Sequence, residues 1–273
     1  MVISSFSKVN LGLKIGNIRD DGFHEVDMVT VFTSLCDVIQ ISKIKEREIV
    51  VLCTKDICKT EENLAYKACK IIFDMFGLNC GVKIKINKNI PDGAGLGGGS
   101  SNAAAVLCSL IKMFSLSVPS AELVKIGSKL GSDVPMFLYS GVLRCSGRGE
   151  IVKKICDPPL NFKILIKNQG FKINTREAYR KFDEIRGVND LSDRVDDLVN
   201  AVKLKDLDEI CKCCFNDFEI MSDVQYGWHL SGSGSSLFKI VDRSFKMKDK
   251  NSGENIIECF PVKYGVKIED TWN

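Results

Sequence analysis

The chain has 273 residues, 45% hydrophobic and 27% charged, with a formal net charge of +3. That length supports one large or two ordinary domains around an unstapled core, and the composition excludes a disordered chain. The charge is too small for a general nucleic-acid surface, and no apolar run reaches the roughly 18 residues of a membrane span.

The first residues carry no basic segment leading into an apolar run, so a cytoplasmic protein, neither exported nor inserted, is expected. The 12 cysteines are scattered, and only Cys211 and Cys214 make a C-x-x-C. With two histidines in the chain and no second pair, a zinc site is not expected; the cysteines read as reduced thiols, many of them small buried hydrophobes.

In chain order, residues 4–15 alternate, with Val9, Leu11, Leu13 and Ile15 on one face and Lys8, Asn10, Gly12 and Lys14 on the other, which predicts a half-buried strand. Arg19-Asp20-Asp21-Gly22 is a hairpin turn signal. One or two strands are predicted over 26–41 and another over 49–53, then a helix over 61–76 and a strand over 82–86 that alternates with Lys83 and Lys85. Helices are predicted over 101–114 and 120–130, the second stopped by Gly131.

Pro158-Pro159 marks a boundary, giving domains 1–157 and 158–273. Beyond it come a strand over 162–166, helices over 175–182, 190–203 and 207–221, and a strand over 237–241 after the glycine loop Ser231-Gly232-Ser233-Gly234. Residues 244–254 read as exposed and polar, and 256–269 as a final strand or hairpin. Mixed elements without a steady βαβ rhythm favour an α+β fold.

The segment with most chemistry is Pro91-Asp92-Gly93-Ala94-Gly95-Leu96-Gly97-Gly98-Gly99-Ser100-Ser101-Asn102. Glycines that tolerate positive φ, running into a capped helix start, aim free N–H groups and a positive dipole end at one spot, which makes an anion site. A flexible linker is the plain alternative, but ordered elements flank this run on both sides. A Walker loop is excluded because no lysine precedes Ser100 or Ser101. Gly93, Gly95 and Gly98 satisfy the dinucleotide pattern G-x-G-x-x-G, yet the preceding strand alternates with lysines and a second helix follows where a strand should.

The longer pattern is similar to the nucleotide-binding motif of the GHMP kinases, which include galactokinase, homoserine kinase and mevalonate kinase. Three further segments resemble the family's other motifs: Ser7-Lys8-Val9-Asn10-Leu11, Gly131-Ser132-Asp133-Val134-Pro135 and Leu230-Ser231-Gly232-Ser233-Gly234-Ser235-Ser236. The resemblance implies a two-domain GHMP kinase fold, with an N-terminal domain like domain 2 of ribosomal protein S5 and a C-terminal ferredoxin-like α/β sandwich. It also implies ATP as co-substrate and Mg²⁺, whose ligands stay unassigned.

The same resemblance implies roles for single residues. Asp133, which alone reads as a turn or cap residue, becomes the catalytic base, and Lys8, which alone reads as a solvated lysine, would lie near the acceptor hydroxyl and the γ-phosphate and offset transition-state charge. Pro91 and the loop backbone from Gly93 through Gly95, Leu96, Gly97, Gly98 and Gly99 to Ser100 and Ser101 would hold the ATP phosphates, the two serines reaching phosphate or Mg²⁺, with Asn63, Leu64, Lys88 and Asn102 nearer the adenine. The triple glycine before Ser-Ser-Asn, with Arg19-x-Asp21-Gly22-Phe23-His24, resembles the branch that phosphorylates the 2-hydroxyl of a small cytidine diphosphate substrate in the non-mevalonate isoprenoid route.

In that branch Asn10 would orient the acceptor, Phe23 and Tyr179 would stack on the cytosine with His24 making polar contacts, and Thr175, Gly232, Ser233 and Gly234 would lie along the substrate. A monomer or weak homodimer is expected. Two alternatives stay open: another GHMP kinase of homoserine or mevalonate type, and a catalytically inactive binding protein.

Overall fold

A computed structural model describes residues 1–55, 59–158, 160–185, 192–247 and 255–269. Pro159, the start of the helix expected from residue 190 and the polar stretch beyond residue 247 lie outside the described residues. The fold is organised on one long antiparallel hairpin, β1 (Val2–Ile18) and β2 (His24–Ile44). The Asp-Gly turn closes it, with Gly22 at φ 78° and its N–H donating to the Arg19 carbonyl.

The expected single apolar face of β1 is divided in two. The register shifts between Asn10 and Gly12, and a bulge of one residue reverses which face each later side chain takes. Val9 and Leu11 therefore enter one core, with Phe162, Ile164 and Leu198, whereas Leu13 and Ile15 enter a second, with Ala68, Ile72 and Leu107. The shift also turns Leu13 onto the face of Lys8 and Asn10, and all three line one cavity. Gly12 sits at the bulge, where a Cβ would stand 2.6 Å from Leu198 Cδ2.

After β3 (Ile49–Cys53) the chain crosses through α1 (Leu64–Phe76) to β4 (Gly81–Asn87), parallel to β3 and antiparallel to β2. Helix α1 starts later than the spacing predicts because Asn63 caps it, its side chain accepting from Ala65 N. Helices α2 (Gly98–Met113) and α3 (Ser120–Leu130) follow, then the hairpin β5 (Val142–Ser146) and β6 (Ile151–Cys156), for which the sequence raised no expectation.

The second half begins with β7 (Phe162–Asn168), α4 (Thr175–Ile185), α5 (Ser192–Leu204) and α6 (Leu207–Cys213). The helix expected over 207–221 ends at Cys213. Phe215 and Phe218 are both buried but join different cores, and the chain between them becomes the short strand β8 (Phe215–Asn216), parallel to β1. Strands β9 (His229–Leu230), β10 (Ser236–Asp242) and β11 (Ile256–Cys259) complete an antiparallel sheet in the order β11-β7-β10-β9.

The expected final hairpin is three short strands shared between the sheets. Strand β12 (Pro261–Val262) pairs with β2, and β13 (Val266–Glu269) pairs with β1. The tail thus returns to the sheet that opens the chain. Among the described residues, no helix is long and apolar enough to cross a membrane.

Candidate active site

The glycine run opens a cavity of about 870 Å³, within the range of small-molecule sites. Gly93, Gly95 and Gly97 have φ of 62°, 75° and 71°, which no L side chain adopts cheaply. Helix α2 begins at Gly98, earlier than predicted, because left-handed Gly97 turns the chain straight into the helix. Gly98, Gly99 and Ser100 form its first turn and line the cavity, an arrangement of free N–H groups and a positive dipole end that suits an anion.

Backbone contacts from both halves of the molecule pin this loop. Lys8 N donates to Leu96 O at 3.0 Å, and Ser236 N donates to Ala94 O at 3.1 Å. The Ser231 hydroxyl donates to Gly95 O at 3.0 Å, and a Cβ on Gly95 would fall 1.8 Å from Ser231 O. The two glycine loops are in contact through bare backbone.

Lys8 stands where they meet. Its side chain is 4% exposed; Nζ lies 3.8 Å from Asp133 Oδ2 and donates to Asn10 Oδ1. A Cβ on Gly232 would be 3.3 Å from the same Nζ. Burial pushes the Lys8 ammonium below the ordinary lysine range, and the negative charge of Asp133 opposes that shift. The Asp133 carboxylate is 35% exposed and faces the cavity. It caps no helix: the following turn starts at Val134 without a side-chain hydrogen bond. Asn10 Nδ2 donates to Thr30 Oγ1 at 2.9 Å, so its amide holds Lys8 in place.

Aromatic and basic side chains, Phe23, His24, Tyr179 and Arg148, also line the cavity. Phe23 is half exposed, with the Arg148 guanidinium 4.7 Å from its ring centroid. Tyr179 stacks on His24 at 4.8 Å with an interplanar angle of 19°, and Phe218 packs at 4.9 Å in edge geometry. Tyr179, expected to face Phe23 across the base, is stacked on His24 in this structure. Burial, then the Asp133 charge, pushes the Tyr179 hydroxyl above the usual phenol range.

Thr175 starts α4 and lies 3.2 Å, hydroxyl to hydroxyl, from Ser233, beside Gly232 and Gly234 at φ 58° and 86°. The Asn216 amide fixes this second loop by donating to the Leu230 and Gly232 carbonyls, both at 2.8 Å.

Pro91, Leu96, Leu64 and Lys88 also line the cavity, whereas Asn63, Ser101 and Asn102 do not. Asn63 caps α1, and both Ser101 and Asn102 are buried against the Ser5 hydroxyl, at 2.7 and 2.8 Å. Lys88 is ion-paired with fully buried Asp37, whose other oxygen accepts from Asn89 N and Ile90 N and so fixes the entry to the loop. Sequence reasoning missed Arg148, Arg176, Arg180, Asp183, Asn216 and Phe218. Only Arg148 carried a local signal, the turn Gly147-x-Gly149, whose glycines have φ of 71° and 113°.

A glycine-cradled anion site facing a buried lysine and a carboxylate defines a phosphoryl-transfer enzyme. The family described as GHMP kinases N terminal domain matches residues 63–141, the span that contains the loop and Asp133. A 4-diphosphocytidyl-2-C-methyl-D-erythritol kinase of Clostridium botulinum is 34% identical over 264 residues, covering 90% of this chain and 92% of that protein. The protein of that name from Caldanaerobacter subterraneus is 40% identical over 225 residues, covering 82% and 76%.

The crystal structure of a 4-(cytidine 5'-diphospho)-2C-methyl-D-erythritol kinase superposes with a TM-score of 0.71 at 30% identity, covering 87% of this chain and 89% of that one. A mevalonate kinase reaches 0.70 at 17% identity over 96% and 99%, a likeness of fold alone. The chain belongs to the GHMP kinases and, within them, to the 4-diphosphocytidyl-2-C-methyl-D-erythritol kinase family.

Proposed function

We infer that the chain transfers the γ-phosphoryl of ATP to the 2-hydroxyl of 4-diphosphocytidyl-2-C-methyl-D-erythritol, a step in non-mevalonate isoprenoid precursor synthesis. The observation that carries the residue assignment is Lys8 Nζ, 3.8 Å from Asp133 Oδ2 where the two glycine loops meet. Asp133 accepts the proton of the attacking hydroxyl, and the Lys8 ammonium stabilises charge on the transferring group. The first turn of α2 binds the triphosphate, with Leu64 and Lys88 on the same side of the cavity. Phe23 and His24 take the cytosine, and Thr175 and Ser233 the diphosphate.

Among the described residues there is no cluster of three metal-binding side chains, which fits Mg²⁺ held mostly by phosphates and water. Ser100 and Asp133 are among the cavity groups of the right chemistry for it, and the ion would neutralise phosphate charge. Ser101 is already engaged by Ser5.

The reading extends to a division at 157/158, with 261–269 returning to the first sheet, and to a monomer or weak homodimer. A cytoplasmic setting accords with the free thiols of the described cysteines. The test is ADP release with three acceptors: the diphosphocytidyl methylerythritol, homoserine and mevalonate. Turnover with the first alone is the expected result; turnover with either of the others and not the first would overturn it.

A further inference from the structure

We propose that Asp183 is a positioning residue that sets base specificity: it fixes the tautomer of His24 so that this imidazole accepts a hydrogen bond from an exocyclic amino group. The proposal rests on the cytidine reading above and adds a reason why cytosine, and not uracil, is taken.

His24 opens β2 and is 9% exposed, yet its side chain lines the cavity beside Phe23. Two contacts fix the ring. Tyr179 stacks against it and sets its plane, while Asp183 Oδ1 stands 2.8 Å from Nε2 and sets its rotation within that plane. Tyr179 and Asp183 are one turn apart on α4, so a single helix face provides both constraints. Asp183 itself is only partly exposed and also lines the cavity.

An ionised carboxylate can only accept, so Nε2 must carry the proton. In a neutral imidazole the other nitrogen, Nδ1, then holds a lone pair. Cytosine offers an amino group at its 4-position and uracil offers a carbonyl oxygen. An Nδ1 acceptor pairs with the first and repels the second. Without Asp183 the imidazole can exchange tautomers and rotate, and the distinction weakens. His229 is a built-in control: its Nδ1, not Nε2, faces a carboxylate, Glu219 at 3.2 Å.

Two measurements test this. Because the chain has two histidines, their tautomers are separable by long-range ¹⁵N–¹H correlation spectra. At a pH where the spectra show both imidazoles neutral, His24 should be protonated on Nε2 and His229 on Nδ1. The second measurement compares kcat/KM for the cytidine acceptor and its uridine analogue in wild type, Asp183→Asn and Asp183→Glu. We expect a wild-type cytidine preference of about 10²-fold, reduced roughly 10-fold by Asn and partly restored by Glu, with KM for ATP changed less than twofold.

An Nδ1-protonated or mixed His24 in the wild type overturns the proposal, as does an Asn variant that keeps the preference within twofold. Failure of the wild type to phosphorylate either acceptor would instead overturn the kinase reading, and the tautomer spectrum would still decide this one.

Discussion

The two glycine loops that meet at Lys8 are built by different means. The loop at 93–99 leads directly into the 16-residue helix α2, so its recognition chemistry, free N–H groups and a dipole, belongs to one continuous segment. The loop at 231–235 leads into strand β10, and the helix start beside it, Thr175 of α4, comes from elsewhere in the chain. It depends on distant residues: Asn216 holds its carbonyls, Thr175 faces Ser233, and Lys8 approaches Gly232. On the proposed function, the nucleotide side of the cavity is a local motif and the acceptor side a tertiary assembly. Changes to the acceptor side should therefore move acceptor kinetics and leave ATP binding intact.

Asp133 serves both sides, and its loss should be the most damaging. Asp133→Asn is expected to lower kcat by roughly 10²–10⁴-fold, with ATP affinity by titration calorimetry little changed. A kcat within about threefold of wild type would remove Asp133 as the base. Phe23→Ala touches the acceptor side alone and should raise KM for the cytidine substrate roughly 5- to 150-fold, the equivalent of ~1–3 kcal/mol of base stacking. An equal rise in KM for ATP would break the division between the two sides.

Asn216→Ala probes assembly over distance, since it leaves two buried carbonyls without their donor. It should lower stability by about 1–3 kcal/mol in urea unfolding and raise KM for the acceptor by a few-fold. Full stability with unchanged acceptor KM would show that the second loop holds its own shape.

The smallest effect concerns pH. Burial lowers the Lys8 pKa below 10.5, so as pH rises the ammonium is lost before an exposed lysine would be. The alkaline limb of kcat/KM should fall at a pH below 10.5, and Lys8→Arg should abolish that limb even if activity is reduced. The sign for stability is opposite: between the lowered pKa and 10.5 the unfolded chain binds more protons, so this group's contribution to stability rises with pH. An unchanged alkaline limb in Lys8→Arg would exclude Lys8 as its source.

The same contrast explains what the sequence revealed. The loop at 93–99 was legible because phosphate recognition by backbone leaves a dense local signature of glycines and a helix start. Lys8 and Asp133 were legible only through the resemblance, since each alone reads as an ordinary surface or turn residue. Asp183 and Asn216 left no signature at all, because a carboxylate one helical turn after a tyrosine, or an amide after a buried phenylalanine, means nothing until the fold brings its partner. The divided face of β1 was misread for a related reason: a bulge at Gly12 leaves the alternation of residue types intact while reversing its direction. The helix expected over 207–221 failed because Phe215 and Phe218 serve two different cores, which a helical spacing cannot express.

If both glycine loops serve one cavity, the phosphoryl group leaves ATP for the acceptor and not for water. The ³¹P spectrum of a reaction of wild-type protein with ATP and the cytidine acceptor reads this most directly. The account predicts one phosphomonoester signal on the acceptor for each ADP formed, with no free phosphate. ADP appearing with an equal amount of free phosphate, or at the same rate without acceptor, would contradict it.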